Sequence, residues 1–228
     1  MNINATSKNK TLMDLRNSID NLLEKGKITS SKSDQEFEIF PVAIDPVEGQ
    51  RLRDWVIRES ATKTIEIGLG YGLSTLYICE GLLMGGQPKA AHVAMDPHQS
   101  GYENCGLQVL EAAGVLDLVE FFETESQILL PRFLESGRNF DFAFVDGSHL
   151  FDRVFLDLIY LGRILTPGSI VFVDDYQMPA IERAVSFCTT NLDWTTEEIS
   201  PEDKLHQWAV LRTALEPKAR TFEDYVDF

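Results

Sequence analysis

Short apolar runs alternate with stretches of helical periodicity from Thr64 onward. The apolar runs are Thr64–Ile67, His92–Met95, Val119–Phe122, Phe140–Val145 and Ile170–Val173. Between them, at Ser74–Leu83, Gly101–Ala113, Ser126–Leu134 and Phe151–Leu165, apolar residues recur at the three-to-four spacing of an amphipathic helix. Strands that are continuously apolar and separated by helices predict βαβ crossovers and a parallel sheet covered on both faces. A helix over Pro179–Thr190 and two further strands, Trp194–Ile199 and Gln207–Arg212, would close it with an antiparallel edge. The expected fold is α/β, a doubly wound, mostly parallel seven-stranded sheet.

Ahead of that alternation, Leu12, Leu15, Ile19, Leu22 and Leu23 mark one face of a helix over Thr11–Lys25, with Gly26 as its stop. A second helix is expected from Pro46 to about Ser60, turning Leu52, Trp55, Val56 and Ile57 inward. The polar residues 1–9 predict disorder, and the Ser/Lys-rich stretch Thr29–Asp34 predicts a loop. The expected division is an N-terminal helical extension and loop over 1–45, a main domain over 46–214 and a tail over 215–228.

Composition narrows the function classes. The 228 residues suffice for one sizeable core. A net charge of -16 without any basic cluster argues against nucleic acid or an anionic membrane as partner, since phosphate contacts need clustered cations. Cys79, Cys105 and Cys188 are odd in number and widely spaced, which predicts free thiols in a reducing cytoplasm. No apolar run reaches the roughly 20 residues of a membrane span, and residues 1–10 contain no apolar signal core. A soluble, cytoplasmic protein is expected.

The segment after the first strand reads Glu66-Ile67-Gly68-Leu69-Gly70-Tyr71-Gly72-Leu73-Ser74-Thr75. Alternating glycines let a backbone turn tightly and approach a ligand, and doubly wound sheets bind ligands beyond the carboxyl ends of their strands. A dinucleotide fingerprint would need a glycine at Leu73, and Glu66 would repel a pyrophosphate. An amino-acid-bearing cofactor fits better, with Glu66 facing an ammonium and the loop amides of Gly68, Gly70 and Gly72 facing a carboxylate. Ser74 or Thr75 would cap the following helix. Asp96, ending the second strand, would accept hydrogen bonds from both hydroxyls of a ribose.

Glu66-x-Gly68-x-Gly70-x-Gly72 followed by Asp96 resembles the class I S-adenosylmethionine-dependent methyltransferases over roughly residues 46–212. The resemblance implies a Rossmann-like methyltransferase fold and places the adenine beside Thr124, Glu125 and Ser126. It also implies a dimer through the N-terminal helices.

Two further strands end in acids, Val145-Asp146-Gly147-Ser148-His149 and Val173-Asp174-Asp175-Tyr176. Carboxylates packed within about 4 Å repel by roughly 4 kcal/mol at an effective dielectric of 20, so protonation, a basic neighbour or a cation must relieve them. Oxygen ligands suit Mg²⁺ or another hard divalent cation. The alternative is structural, with Asp174 and Asp175 capping the next helix and Asp146 ordering its own turn. The pattern resembles the metal-dependent small-molecule O-methyltransferases, both catechol-type and antibiotic-sugar-type. By that resemblance Asp146, Asp174 and Asp175 hold magnesium, and Asp146 also borders the cofactor. His149 is the natural general base for an acceptor hydroxyl, with helix capping as its structural alternative. His98 is a weaker candidate at the rim; His92 and His206 read as structural. Tyr71 and Trp55 read as cofactor or substrate walls, core packing being the equal alternative for Trp55. The expected activity is metal-assisted O-methyl transfer to a small-molecule hydroxyl. Metal-independent transfer to nitrogen or carbon, or a nonenzymatic cofactor-binding module, stands as the alternative. The acceptor itself has no legible code.

Overall fold

The computed structural model describes residues 3–87, 89–201 and 206–228, with side chains from residue 11 on. The chain divides into two compact units, residues 1–63 with 69–123 and residues 64–68 with 124–228.

The first unit contains helix α1 (Ile3–Lys25), a hairpin of β1 (Lys27–Thr29) and β2 (Glu36–Glu38), and helices α2 (Pro46–Arg58) and α3 (Leu73–Gly85). These are followed by β4 (Ala91–Met95), α4 (Cys105–Ala112), a 3₁₀ turn at Leu116–Leu118 and β5 (Val119–Phe122). Strands β4 and β5 pair in parallel, His92 opposite Val119 and Met95 opposite Phe122. Helices α1 and α2 both pack on α3, joined by a buried carboxylate: Glu80 accepts from Arg16 Nε at 2.6 Å and Arg53 Nη1 at 3.3 Å. Helix α2 starts where expected because Asp45 accepts from the amides of Val47 and Glu48 and Pro46 opens the first turn.

The second unit contains β3 (Lys63–Ile67), all but its first residue, and then α5 (Ser126–Glu135), β6 (Phe140–Val145), α6 (Phe151–Ile164), β7 (Leu165–Val173), α7 (Pro179–Asn191), β8 (Thr195–Ile199) and β9 (Ala209–Arg212). Here β3, β6 and β7 run parallel while β9 pairs antiparallel to both β7 and β8. Phe142, Phe144 and Phe172 are fully buried in the strand interiors. Helix α6 packs against both α5 and α7.

The strand order of the seven-stranded sheet is β5-β4-β3-β6-β7-β9-β8. It is the expected mostly parallel, doubly wound α/β sheet with an antiparallel edge. Among the described residues no helix is long and apolar enough to cross a membrane.

Four local expectations are corrected. Helix α1 already begins at Ile3, inside the segment expected to be disordered; residues 1 and 2 lie outside the described residues. The β1–β2 hairpin departs from the expected loop, because each three-residue strand carries a single apolar residue, Ile28 or Phe37, too short a run for alternation to register. Strand β7 starts at Leu165 instead of Ile170, bridging an irregularity in its pairing with β6 at Phe140 and Phe142. Helix α4 starts at Cys105 instead of Gly101, since residues 98–104 form successive tight turns. Trp55 is a core residue with Arg58 stacked 4.3 Å from its ring centroid, so packing accounts for it. The C-terminal tail is tied to α7: the Asn191 amide exchanges hydrogen bonds with the Val226 backbone, and Phe228 meets Phe187 edge-on at 5.0 Å.

Candidate active site

In the second unit the parallel register sets the ends of β3, β6 and β7 side by side. The Asp146 amide donates to Ile67 O at 2.9 Å, and the Asp174 amide to Val145 O at 3.0 Å. Gly68 follows β3 with φ +99°, and a Cβ there would fall 1.8 Å from the Asp146 carbonyl oxygen. Glycine is required here by both conformation and space. Glu66, fully buried, lies opposite Phe144 in the register.

Around those ends Asp146, His149 and Asp175 bring one ligand atom each within 4.8 Å of the others. His149 Nε2 lies 2.9 Å from Asp175 Oδ2 and 3.8 Å from Asp146 Oδ1. The Asp146 and Asp175 carboxylates push the imidazole up to about 10. Asp146 is raised, first by burial, against the lowering effect of His149 and with Asp175 and Glu66 adding to the rise. Burial works to raise Asp175 too, but hydrogen bonds from His149 and Gln177 and the imidazole charge outweigh it and leave Asp175 lowered. Asp175 adopts a left-handed φ of +55°, uncommon outside glycine and found at sites where the surroundings over-determine the backbone. Gln177 Nε2 and His206 Nδ1 also reach Asp175 Oδ1, at 2.8 and 3.4 Å. The Asp174 carboxylate is outside the three-residue group; its Oδ1 accepts from the Asp175 amide at 2.6 Å.

The loop before α5 belongs to the same unit. Glu125 Oε2 lies 3.2 Å from Arg153 Nη1, and Gln127 Nε2 donates to both Ser126 Oγ at 2.7 Å and Asp157 Oδ1 at 3.1 Å. Ser126 is buried and Thr124 half-buried. Burial pushes the Asp157 carboxyl up to about 7.

In the first unit the glycine loop continues through Gly70 (φ +50°) and Gly72 (φ +84°). Gly72 itself caps α3, with no side-chain hydrogen bond at the cap, so Ser74 and the fully buried Thr75 lie inside the first turn and do not cap it. Asp96 is buried and holds the loop: its Oδ2 accepts from the Gly70 amide at 2.8 Å and its Oδ1 from the His98 amide at 2.7 Å. Tyr71 packs against Phe37 and Tyr102, ring centroids 6.4 and 5.1 Å away.

Comparison with known proteins bears on this geometry. A family described as a methyltransferase domain matches residues 65–176, from the third residue of β3 to just past Asp175. Over that stretch the chain resembles a methyltransferase domain. Caffeoyl-CoA O-methyltransferase from Mesembryanthemum crystallinum is 33% identical over 140 residues, covering 58% of this chain and 53% of that protein. Caffeoyl-CoA O-methyltransferase 1 from Eucalyptus globulus is 37% identical over 103 residues, 44% of this chain and 40% of that protein. The chain thus spans about half the length, or less, of these curated relatives. An O-methyltransferase from Bacillus cereus, solved in complex with SAH, superposes with a TM-score of 0.69 at 16% identity over 86% of this chain and 90% of that one. TomG of Streptomyces achromogenes, an O-methyltransferase of tomaymycin synthesis solved with SAM, gives 0.67 at 19% over 88% and 89%. At such identities the superpositions establish the fold.

Of the residues singled out from the sequence, the fold brings Asp146, His149 and Asp175 together, and Asp96 with Gly70. It places Glu125 on Arg153 and Ser126 in the Asp157 network. Sequence reading missed Gln177 on Asp175 and Gln99 beside Asp96, and took His206, which also reaches Asp175, as structural without its contact. None had a legible signal, since each acts through a contact distant in the chain or inside an irregular turn.

Proposed function

We propose that this chain is an S-adenosylmethionine-dependent O-methyltransferase acting on a small-molecule hydroxyl with the help of a divalent cation. The observation that carries the reading is the group formed by Asp146, His149 and Asp175 beyond the parallel strands of a methyltransferase domain. For the cofactor, Asp96 would take the ribose, Glu66 the ammonium and the glycine loop at Gly68 and Gly72 the carboxylate, the Gly70 amide being held by Asp96, and Thr124, Glu125 and Ser126 would border the adenine.

The donor set fits a divalent ion. Two carboxylates in close approach, one of them raised by burial and by its neighbours' charge, are relieved by positive charge. Asp146 and Asp175 would hold the ion, with Asp174, next in the chain, as the further oxygen donor that the resemblance implies. Mg²⁺, which suits the hardness of these ligands, would supply Lewis acidity towards an acceptor hydroxyl there. Of the chain's own groups, His149 would take the hydroxyl proton once it no longer carries the charge that balances the two acids. Asp175, held by Gln177 and His206, keeps His149 oriented.

The test is thermal and chemical. S-adenosylhomocysteine at millimolar concentration is expected to raise the melting temperature, and EDTA to abolish methyl transfer from S-adenosylmethionine to vicinal-diol and catechol acceptors followed by mass spectrometry. No shift with either cofactor form overturns the reading.

One observation favours a second reading, metal-independent transfer to nitrogen or carbon: His149 as an imidazolium already balances Asp175 at 2.9 Å. Turnover that survives EDTA would select it.

A further inference from the structure

Gln99 lies two residues beyond Pro97 in a segment of tight turns, yet its side chain is fully buried. Its Nε2 donates to the Gly70 carbonyl oxygen at 2.6 Å and to Asp96 Oδ2 at 3.2 Å. That orientation is fixed, because a flipped amide would set its oxygen against two acceptors. The Gly70 amide donates to the same Oδ2 at 2.8 Å. Both backbone polar groups of Gly70 are therefore held, the N–H by Asp96 and the C=O by Gln99.

We propose that Gln99 is a positioning residue for the cofactor: it locks the Asp96 carboxylate onto the glycine loop and leaves Asp96 one acceptor position for a ribose hydroxyl. A carboxylate offers about four acceptor positions. His98 N, Gly70 N and Gln99 Nε2 take three of them. Asp96 would then read a single hydroxyl, in place of the two expected from the sequence. The inference rests on the methyl-donor reading above.

A second observation separates this role from ordinary core packing. Gln99 Oε1 is buried with no hydrogen-bond partner among the described residues, a cost that an apolar side chain of similar volume would avoid. The space around it is closed by α4: a Cβ on Gly106 would fall 2.6 Å from the Gly70 carbonyl oxygen and 2.9 Å from Gln99 Oε1. What Gln99 offers that methionine or leucine lacks is the pair of N–H donors aimed at Gly70 and Asp96.

The experiment measures affinity by calorimetry for S-adenosylhomocysteine and its 2′-deoxy and 3′-deoxy forms, in the unaltered chain, Gln99→Met and Gln99→Glu. The unaltered chain should favour the parent over one deoxy form only. In Gln99→Met the parent should bind about tenfold more weakly, that preference should collapse, and the melting temperature should hold or rise. In Gln99→Glu, affinity relative to the unaltered chain should be poor at pH 8 and recover towards pH 5, where a protonated carboxyl regains a donor. A purely structural role would instead lower the melting temperature and weaken all three ligands alike. Gln99→Met with its preference intact overturns the inference, as does Gln99→Glu without the relative pH recovery should the first variant not fold. Failure of the unaltered chain to bind S-adenosylhomocysteine removes the methyl-donor reading and this inference with it.

Discussion

His149 Nε2 stands 2.9 Å from Asp175 Oδ2 and 3.8 Å from Asp146 Oδ1, in a group that sets one imidazolium against two carboxylates. Asp175 reaches it from a left-handed backbone at φ +55°, braced by Gln177.

This pair makes a prediction about metal and stability. His149→Gln should cost about 1 kcal/mol in metal-free buffer, a small figure because the imidazole is 43% exposed and screened by water. Its pKa is raised, so the stabilisation is complete below the ordinary 6.5 and is lost as pH rises through about 10. The gap between the two proteins in urea denaturation should therefore close across that window. Magnesium should raise the melting temperature of the unaltered chain, and Asp146→Asn or Asp175→Asn should abolish that rise.

Gly68 admits no side chain. With φ +99° and the Asp146 carbonyl oxygen 1.8 Å from the site of a Cβ, Gly68→Ala must shift β3 against β6. A loss of at least about 2 kcal/mol is expected, read as a lower urea midpoint at unchanged slope.

Asp157 carries a pH dependence of its own. Burial raises its carboxyl from 3.8 to about 7, ahead of the hydrogen bonds from Ser126 and Gln127 that lower it. A raised acid stabilises the fold most below its unfolded value, and this contribution is lost as pH rises through about 7. Asp157→Asn should be the more stable protein at pH 8, by something on the order of 2 kcal/mol, and lose that advantage towards pH 4. Paired denaturation curves at the two pH values check it.

Asp96 joins the loop to the cofactor. Asp96→Ala removes the acceptor of the Gly70 and His98 amides together. Binding of S-adenosylhomocysteine should weaken by more than tenfold, with a lower melting temperature even in its absence.

The sheet was legible because burial on both faces leaves a long trace in sequence. Runs such as Phe140–Val145 have no polar interruption except Asp141, and helical spacing between them admits few alternatives. The β1–β2 hairpin escaped for the opposite reason. Its strands are short and hold one apolar residue each, so their pairing depends on neighbours that no local pattern names.

The sequence by itself determined the order of strands and helices, the glycines that turn after β3, and which acids end which strands. These follow from local rules, the periodicity of burial and the backbone freedom of glycine. Tertiary structure alone decided which acids meet. Asp175 turns to His149 while Asp174, its neighbour, bonds the following amide, a choice made by one left-handed residue and by contacts from Gln177 and His206. It also decided that Asp96 is held by Gly70 and Gln99 before any ligand arrives. Spacing along a chain can place a carboxylate at a rim; the direction of its lone pairs depends on residues folded in from elsewhere.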